Sequence, residues 1–155
     1  MRVVLQRVSS AEVRVGADVV GSIGRGYLAL VGVATGDTDA TARAAAAKVA
    51  AIRLFPSIDE PDRRPIDTDL TAAGGAVLAV SQFTLLADTR HGRRPSFSDA
   101  APPAIASGVF DTFVATLGQK GIAVHTGEFG AHMQVELVND GPVTIVLDFE
   151  GERVT

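Results

Sequence analysis

The feature that most restricts the fold is one uninterrupted apolar run, from Tyr27 to Ala34, bounded by glycines. A strand with one face in water alternates polar and apolar residues, whereas a strand buried on both faces does not. The run therefore predicts a central strand, and the fold must cover both faces of the sheet that contains it.

Short apolar or alternating runs elsewhere predict further strands. They lie at residues 3–8, 12–15, 19–23, 76–80, 122–124, 133–137 and 143–149. The hairpin signal Gly16-Ala17-Asp18 separates two of these runs. The Asn-Asp-Gly-Pro sequence at 139–142 is typical of an ordinary turn between the last two.

Two segments predict helices. The alanine-rich stretch from Ala42 to Leu54 follows a cap at Asp37 or Thr38 and stops at Pro56. A second apolar stripe with a 3.6-residue period begins at Ile105 and ends at Leu117. Asp99 is a candidate cap for it, and Pro102 and Pro103 are tolerated in a first turn. The predicted fold class is α+β, with mostly antiparallel β-sheets forming a barrel-like or sandwich core covered by two long helices.

Composition limits the classes of function. The chain has 155 residues, 46% of them hydrophobic, and no linker-like stretch, which predicts a single domain over residues 1–155. It has no cysteine and no apolar run approaching a membrane span, so we expect a cytoplasmic protein that does not engage membranes. A net charge of −4 requires any contact with RNA to be local.

The common catalytic templates are missing from the sequence. His91, His125 and His132 have no metal-ligand spacing, and no thiolate ligand exists, so we expect no metal and no cofactor. No phosphate-binding glycine loop opens a helix, and no nucleophile elbow is present.

Three segments nevertheless combine polar groups in ways that chemistry could use. Residues 81–85 follow a buried strand, and they are either a plain strand edge or a pocket of hydroxyls and backbone N–H groups beside a reacting carbonyl. Residues 139–144 are either a simple turn or a rigid unit whose Gly-Pro carbonyls are open to a ligand. Residues 90–97 are either a solvated basic loop or a contact for phosphates, anchored by Phe97.

Together these segments resemble the D-aminoacyl-tRNA deacylase family. The resemblance runs from Met1 to about Phe149, and its marks are Ser81-Gln82-Phe83-Thr84-Leu85, Gly92-Arg93-Arg94-Pro95-Ser96-Phe97, Gly130-Ala131-His132-Met133 and Asn139-Asp140-Gly141-Pro142-Val143-Thr144. Family members often carry a Met-Asn pair near Ile66-Asp67 and a Lys where His91 stands, so the chain differs from the family in these loops.

The resemblance implies a homodimer that hydrolyses D-aminoacyl-tRNA, and also glycyl-tRNA, at sites on the subunit interface. It implies a cis Gly141–Pro142 bond that inserts into the partner's pocket and performs chiral selection. The implied catalytic stretch is Ser81, Gln82, Phe83 and Thr84. The residues implied to bind the aminoacyl-tRNA 3′ end are Arg7, Phe97, Gly130, Ala131, Met133 and Asn139.

The residues leave part of the mechanism open. Thr84 is either a nucleophile or only part of the pocket lining, because no base is recognisable to activate it. We favour backbone donors near residues 82–84, assisted by the ribose hydroxyl of the terminal adenosine. Two other functions remain: a module that binds RNA ends or nucleotides without hydrolysis, and a hydrolase of free small esters or N-modified amino acids.

Overall fold

The computed structural model covers residues 1–155 and contains one seven-stranded sheet with two helices. The strands are β1 (Arg2–Val15), β2 (Asp18–Ile23), β3 (Gly26–Gly32), β4 (Ala76–Ser81), β5 (Val124–Thr126), β6 (Gln134–Glu150) and β7 (Arg153–Val154). Their order is β5-β4-β3-β1-β6-β7, and β2 also pairs with β1. The predicted α+β class is confirmed, and the strand predicted to be central is β3, in which only Leu30 is not fully buried.

The sheet is mixed. β1 pairs antiparallel with β2, β3 and β6, whereas the pairs β3–β4 and β4–β5 are parallel. Parallel neighbours need a long crossover connection, and the two helices lie in the connections that precede β4 and β5. The parallel part of the sheet is therefore the part whose strands are connected through the helices.

The helices are α1 (Asp39–Ala51) and α2 (Pro103–Gln119). Thr38 caps α1 as predicted, but α1 ends three residues before Leu54, with Ile52 as its C-terminal cap. The predicted cap at Asp99 is wrong, since the N-cap of α2 is Pro102, without a side-chain hydrogen bond. Pro103 has no N–H to satisfy, which lowers the need for such a cap.

Two apolar clusters cover the two faces of the sheet. The larger lies between the helices and one face, and its fully buried side chains include Val3, Leu5, Tyr27, Phe55 and Phe113. The smaller fills the concave face of the curled sheet and consists of Val8, Ala11, Val13, Ile23, Leu28, Leu78 and Val80. No helix of the fold is both long enough and apolar enough to cross a membrane.

In two places, a pair of runs that were predicted as separate strands forms one continuous strand. Runs 3–8 and 12–15 form β1, and runs 133–137 and 143–149 form β6. The turn predicted at 139–142 does not reverse the chain. Val8 pairs with Asn139 and Gln6 pairs with Thr144, so the four residues 140–143 stand opposite Arg7 alone. We call residues 139–144 the β6 bulge.

Candidate functional site

A cavity of about 680 Å³ opens where β4 ends, and we call it the pocket. This volume is in the range of small-molecule sites. Seven of the predicted site residues line it: Ser81, Gln82, Phe83, Phe97, Gly130, Ala131 and Met133. Three separate stretches of chain, near residues 82, 97 and 131, therefore meet here.

The backbone after β4 leaves two hydrogen-bond donors free. The N–H of Gln82 donates to the carbonyl of Val31 at 2.8 Å, which continues the sheet. The chain then turns into a 3₁₀ helix, Phe83–Leu86, and the N–H groups of Phe83 and Thr84 have no acceptor within the protein. Free adjacent N–H groups beside a cavity are suited to stabilise negative charge on a ligand oxygen.

Thr84 does not line the pocket. Its hydroxyl oxygen accepts a hydrogen bond from the side-chain amide of Gln82. No histidine or carboxylate is hydrogen-bonded to this hydroxyl, so the side chain lacks the base that activates a nucleophile.

Aromatic rings form one rim of the pocket. Phe83 is 58% exposed, and its ring meets that of Phe97 edge to face with centroids 5.0 Å apart. Phe129 lies on another side and packs at 6.5 Å against Phe110 of α2. Exposed rings at a cavity mouth offer flat apolar surface on which another planar ring can stack.

Several lining residues were not among the predicted site residues, although His132 lies within one of the motifs. They are Val31, Val33, Val80, Ser98, Ala100, Ala101, Pro102, Pro103, Ala106, Phe129, His132 and Val135. Most are small or apolar and contribute shape, not reactive groups. The Pro-Pro pair at the start of α2 was the one sequence feature that could have indicated this part of the wall, because it forms a rigid segment without N–H groups.

The remaining predicted residues, Arg7, Asn139, Gly141 and Pro142, lie at the β6 bulge. The Arg7 side chain is only 7% exposed. It donates to the carbonyl of Asp140 at 2.9 Å, to that of Leu54 at 2.6 Å and to that of Pro65 at 3.1 Å. One buried cation thus holds the β6 bulge against β1 and the segment after α1.

The side chain of Asn139 forms two hydrogen bonds within the β6 bulge. Its oxygen accepts from the N–H of Val143 at 3.0 Å, and its amide donates to the hydroxyl of Thr144 at 2.9 Å. These hydrogen bonds fix Val143 and Thr144 relative to the Gly141–Pro142 unit, which is exposed at the surface.

Gly141 has no sterically acceptable replacement. Its φ is +134°, a region that L-residues with a side chain rarely adopt. A Cβ added there would lie 2.8 Å from Cγ2 of Val143 and 3.0 Å from Nη2 of Arg7. The Gly141–Pro142 peptide bond is cis, as the resemblance led us to expect.

The pocket and the β6 bulge are separate within one chain. None of Arg7, Asn139, Gly141 or Pro142 lines the pocket. Val135, which does line it, is six residues along β6 from Gly141, a distance of about 20 Å at the strand rise of ~3.4 Å per residue.

The loop before Phe97 carries the basic residues. Arg90 donates through Nε and Nη2 to the Asp88 carboxylate at 2.9 and 2.8 Å. These hydrogen bonds hold the pKa of Asp88 down to about 2.

Nowhere do three or more His, Cys, Asp or Glu side chains come together in a way that could hold a metal ion.

We compared the sequence of this chain with those of known proteins. Residues 4–148 match the sequence profile described as D-Tyr-tRNA(Tyr) deacylase. A D-aminoacyl-tRNA deacylase of Roseiflexus sp. (strain RS-1) is 57% identical over 148 residues, which cover 96% of this chain and 93% of that one. The chain belongs to the D-Tyr-tRNA(Tyr) deacylase family. Membership makes it a D-aminoacyl-tRNA deacylase, an ester hydrolase.

Two solved structures share the fold of this deacylase. The c-Myc DNA Unwinding Element Binding Protein superposes with a TM-score of 0.88 at 34% identity, covering 97% of this chain and 99% of that one. A structure titled as a probable eukaryotic D-amino acid tRNA deacylase superposes with a TM-score of 0.81, covering 96% and 98%. The second is 18% identical, so it supports the fold alone.

Proposed function

We propose that the chain, acting as a single deacylase domain over residues 1–155, removes D-amino acids and glycine from tRNA in the cytoplasm and refuses L-aminoacyl-tRNA. In this proposal the active enzyme is a homodimer. The pocket of one subunit receives the 3′ end of the tRNA, and the Gly141–Pro142 unit of the other selects the configuration of the amino acid.

The observation that carries the proposal is the separation of the two clusters. The pocket lies beside free N–H donors, but it does not include Gly141 or Pro142 of its own chain. The β6 bulge is held by Arg7 and its Gly141–Pro142 unit is exposed, yet this unit does not line the pocket of its own chain. A two-fold dimer brings a surface feature of one subunit to a different feature of the other, and so could join the two.

An apolar area on the sheet supports pairing of two chains. Val4 pairs with Val146 in β6 and with Leu30 in β3, so the three side chains share one face. Val146 is 56% exposed, and Val4 and Leu30 are partly exposed. Val146 lies on β6, five residues after Gly141, so a partner covering this area would lie near the β6 bulge.

The proposed chemistry relies on backbone groups. Ester hydrolysis develops negative charge on the carbonyl oxygen, and the free N–H groups of Phe83 and Thr84 are suited to stabilise it. The ring of Phe83 or Phe97 would stack on the terminal base. Attack on the ester would come from water, with the neighbouring ribose hydroxyl of the substrate assisting.

Chiral selection would act by exclusion. Gly141 has no side chain, so its carbonyl and that of Pro142 can approach the α-carbon of a bound aminoacyl group closely. An L side chain would collide with these oxygens, and a D side chain would point away. Glycine has no side chain to exclude, so glycyl-tRNA should also be cleaved.

The test compares matched substrates. Purified enzyme should deacylate D-tyrosyl-tRNA and glycyl-tRNA quickly and L-tyrosyl-tRNA hardly at all, and the rates should survive exhaustive chelation of metals. Sedimentation should give twice the 16.0 kDa chain mass. Rapid cleavage of L-tyrosyl-tRNA, or full activity from a strict monomer, would refute the proposal. Binding without any hydrolysis would support the alternative of an RNA-end binding module.

A further inference from the structure

The residues between Asp88 and Ser96 form a closed loop, which we call the basic loop (89–95). The N–H of Asp88 donates to the carbonyl of Ser96 at 2.8 Å, and the N–H of Ser96 donates back at 2.9 Å. Gly92 near the tip has a φ of +77°, which permits the tight reversal. The loop is thus fixed at its base and presents its tip to solvent.

Only two arginines of the basic loop are free to bind something else. Arg90 is engaged by the Asp88 carboxylate. Arg93 and Arg94 are exposed, and neither has a carboxylate oxygen within 4.0 Å. In contrast, Arg63 and Arg64, which are adjacent arginines of another loop, are paired with Glu60 at 3.2 and 3.7 Å.

The basic loop lies beside the pocket. Phe97 follows directly after the base of the loop, lines the pocket and packs on Phe83. Arg94 is three residues before Phe97, so their Cα atoms are within about 11 Å of each other even if the chain is fully extended. The two free arginines are therefore held next to the pocket by the chain.

We propose that Arg93 and Arg94 bind phosphates of the single-stranded tRNA end immediately 5′ of the nucleotide in the pocket. The chain carries a net charge of −4, so attraction to RNA must come from a local cationic site. Exposed guanidinium groups without an internal partner provide such a site, because they can donate two parallel hydrogen bonds to a phosphate. This inference rests on the proposed function, since it takes the tRNA 3′ end as the occupant of the pocket.

The experiment compares two substrates that differ in their phosphates. D-tyrosyl-tRNA has the upstream phosphates, and the D-tyrosyl ester of adenosine has none. The double variant Arg93→Ala/Arg94→Ala should raise KM for the tRNA about tenfold and leave KM for the adenosine ester unchanged. The dependence of log kcat/KM on log salt should become shallower by about 1.4, because each single-strand phosphate contact contributes about 0.7.

Two control variants separate charge at this place from charge in general. Arg43→Ala/Lys48→Ala removes the same charge from exposed positions of α1, where alanine continues the helix, and should change neither KM. Arg93→Lys/Arg94→Lys keeps the charge but loses the paired donors of the guanidinium group, so it should keep the salt slope and only part of the tRNA affinity.

The outcomes distinguish the two levels of the argument. A wild-type enzyme that cleaves neither D-tyrosyl substrate overturns the proposed function. A wild-type enzyme that cleaves the tRNA, combined with an unchanged tRNA KM and salt slope in the alanine variant, overturns the role of Arg93 and Arg94 alone. An equal loss on both substrates also overturns that role, because it places the defect in the pocket.

Discussion

The pocket and the β6 bulge are both departures from regular structure, but they are built in opposite ways. The pocket is made of small and aromatic side chains from three stretches of chain, and its free donors are backbone N–H groups. The β6 bulge is a six-residue segment of one strand, held by the buried side chain of Arg7 and by hydrogen bonds of Asn139 within the segment. The pocket can accept a variable ligand, whereas the bulge presents one fixed shape.

This difference is consistent with the two roles proposed above, binding by the pocket and chiral selection by the bulge. A surface that binds a common feature of many substrates needs apolar area and a few donors. A surface that excludes one configuration must not yield when a side chain presses on it, which is what a buried multidentate anchor provides. If the two act together across subunits, a chain with a damaged bulge and a chain with a damaged pocket should together form one intact site.

The largest effect is expected for Gly141→Ala. The new Cβ would overlap Val143 and Arg7 in a backbone region that alanine avoids, so the unit must move. In the proposed dimer this unit lies against the α-carbon of the bound aminoacyl group, so its displacement would also shift a D substrate. We expect kcat/KM for D-tyrosyl-tRNA to fall at least about a hundredfold, since a displacement of ~1 Å can cost that much. Far-ultraviolet circular dichroism should be unchanged, because the position is exposed.

The same variant tests whether the site crosses subunits. Ala131→Trp would fill the pocket and should also be inactive by itself. Co-expressed with Gly141→Ala in equal amounts, it should restore about a quarter of wild-type activity, because half of the dimers are mixed and each has one intact site. A mixture as inactive as its parents would contradict the shared site.

The next largest effect concerns stability. Arg7→Ala leaves the carbonyls of Leu54, Pro65 and Asp140 without their donor, and we expect a loss of about 2–4 kcal/mol in the free energy of unfolding, measured in urea. Arg2→Ala is the matched control, because Arg2 is partly exposed and pairs with Asp148, and it should cost less than about 1 kcal/mol. Equal losses would show that Arg7 is not a special anchor.

The sequence predicted the regular parts of this molecule well because their patterns are local. The apolar run at Tyr27 and the alanine-rich helix each contain the information that fixes them. The continuity of β6 was not predictable from residues 139–142, because turn-forming residues favour a reversal unless a partner strand continues past them. That partner is β1, more than 120 residues away in sequence, and Arg7 on it replaces the missing ladder contacts.

The same limit applies to the site. Motifs identified the residues with polar or unusual backbone chemistry, at 81–84, 97, 130–133 and 139–142. They did not identify the wall formed by Ala100 to Ala106, because small apolar residues carry no chemical pattern. Nor did they show that the motifs form two clusters and not one, since that depends on the sheet register.

A smaller effect is expected at Thr84. Thr84→Ala removes a hydroxyl outside the pocket lining and keeps the backbone N–H, so activity should fall less than about tenfold. Loss of a nucleophile costs on the order of 10⁶ and loss of an oxyanion donor about 10²–10³, so the measurement separates the alternatives. A D-tyrosyl-tRNA ending in 2′-deoxyadenosine should react much more slowly with wild type and variant alike.

The smallest effect concerns the base of the basic loop, where the anchor is an exposed ion pair instead of a buried cation. Hydrogen bonds from Arg90 lower the pKa of Asp88 from its ordinary value of 3.8 to about 2. A carboxyl whose pKa is lower in the folded state stabilises that state above pH 3.8, and the contribution disappears as pH falls through about 2. The pair is therefore intact throughout the neutral range. A carbon-detected NMR titration should give an Asp88 midpoint near 2, returning towards 3.8 in Arg90→Ala, while the Asp88–Ser96 backbone pairing persists in both proteins. A wild-type midpoint near 3.8 would mean that the pair does not form in solution, and the fixed presentation of Arg93 and Arg94 would then depend on the backbone pairing alone.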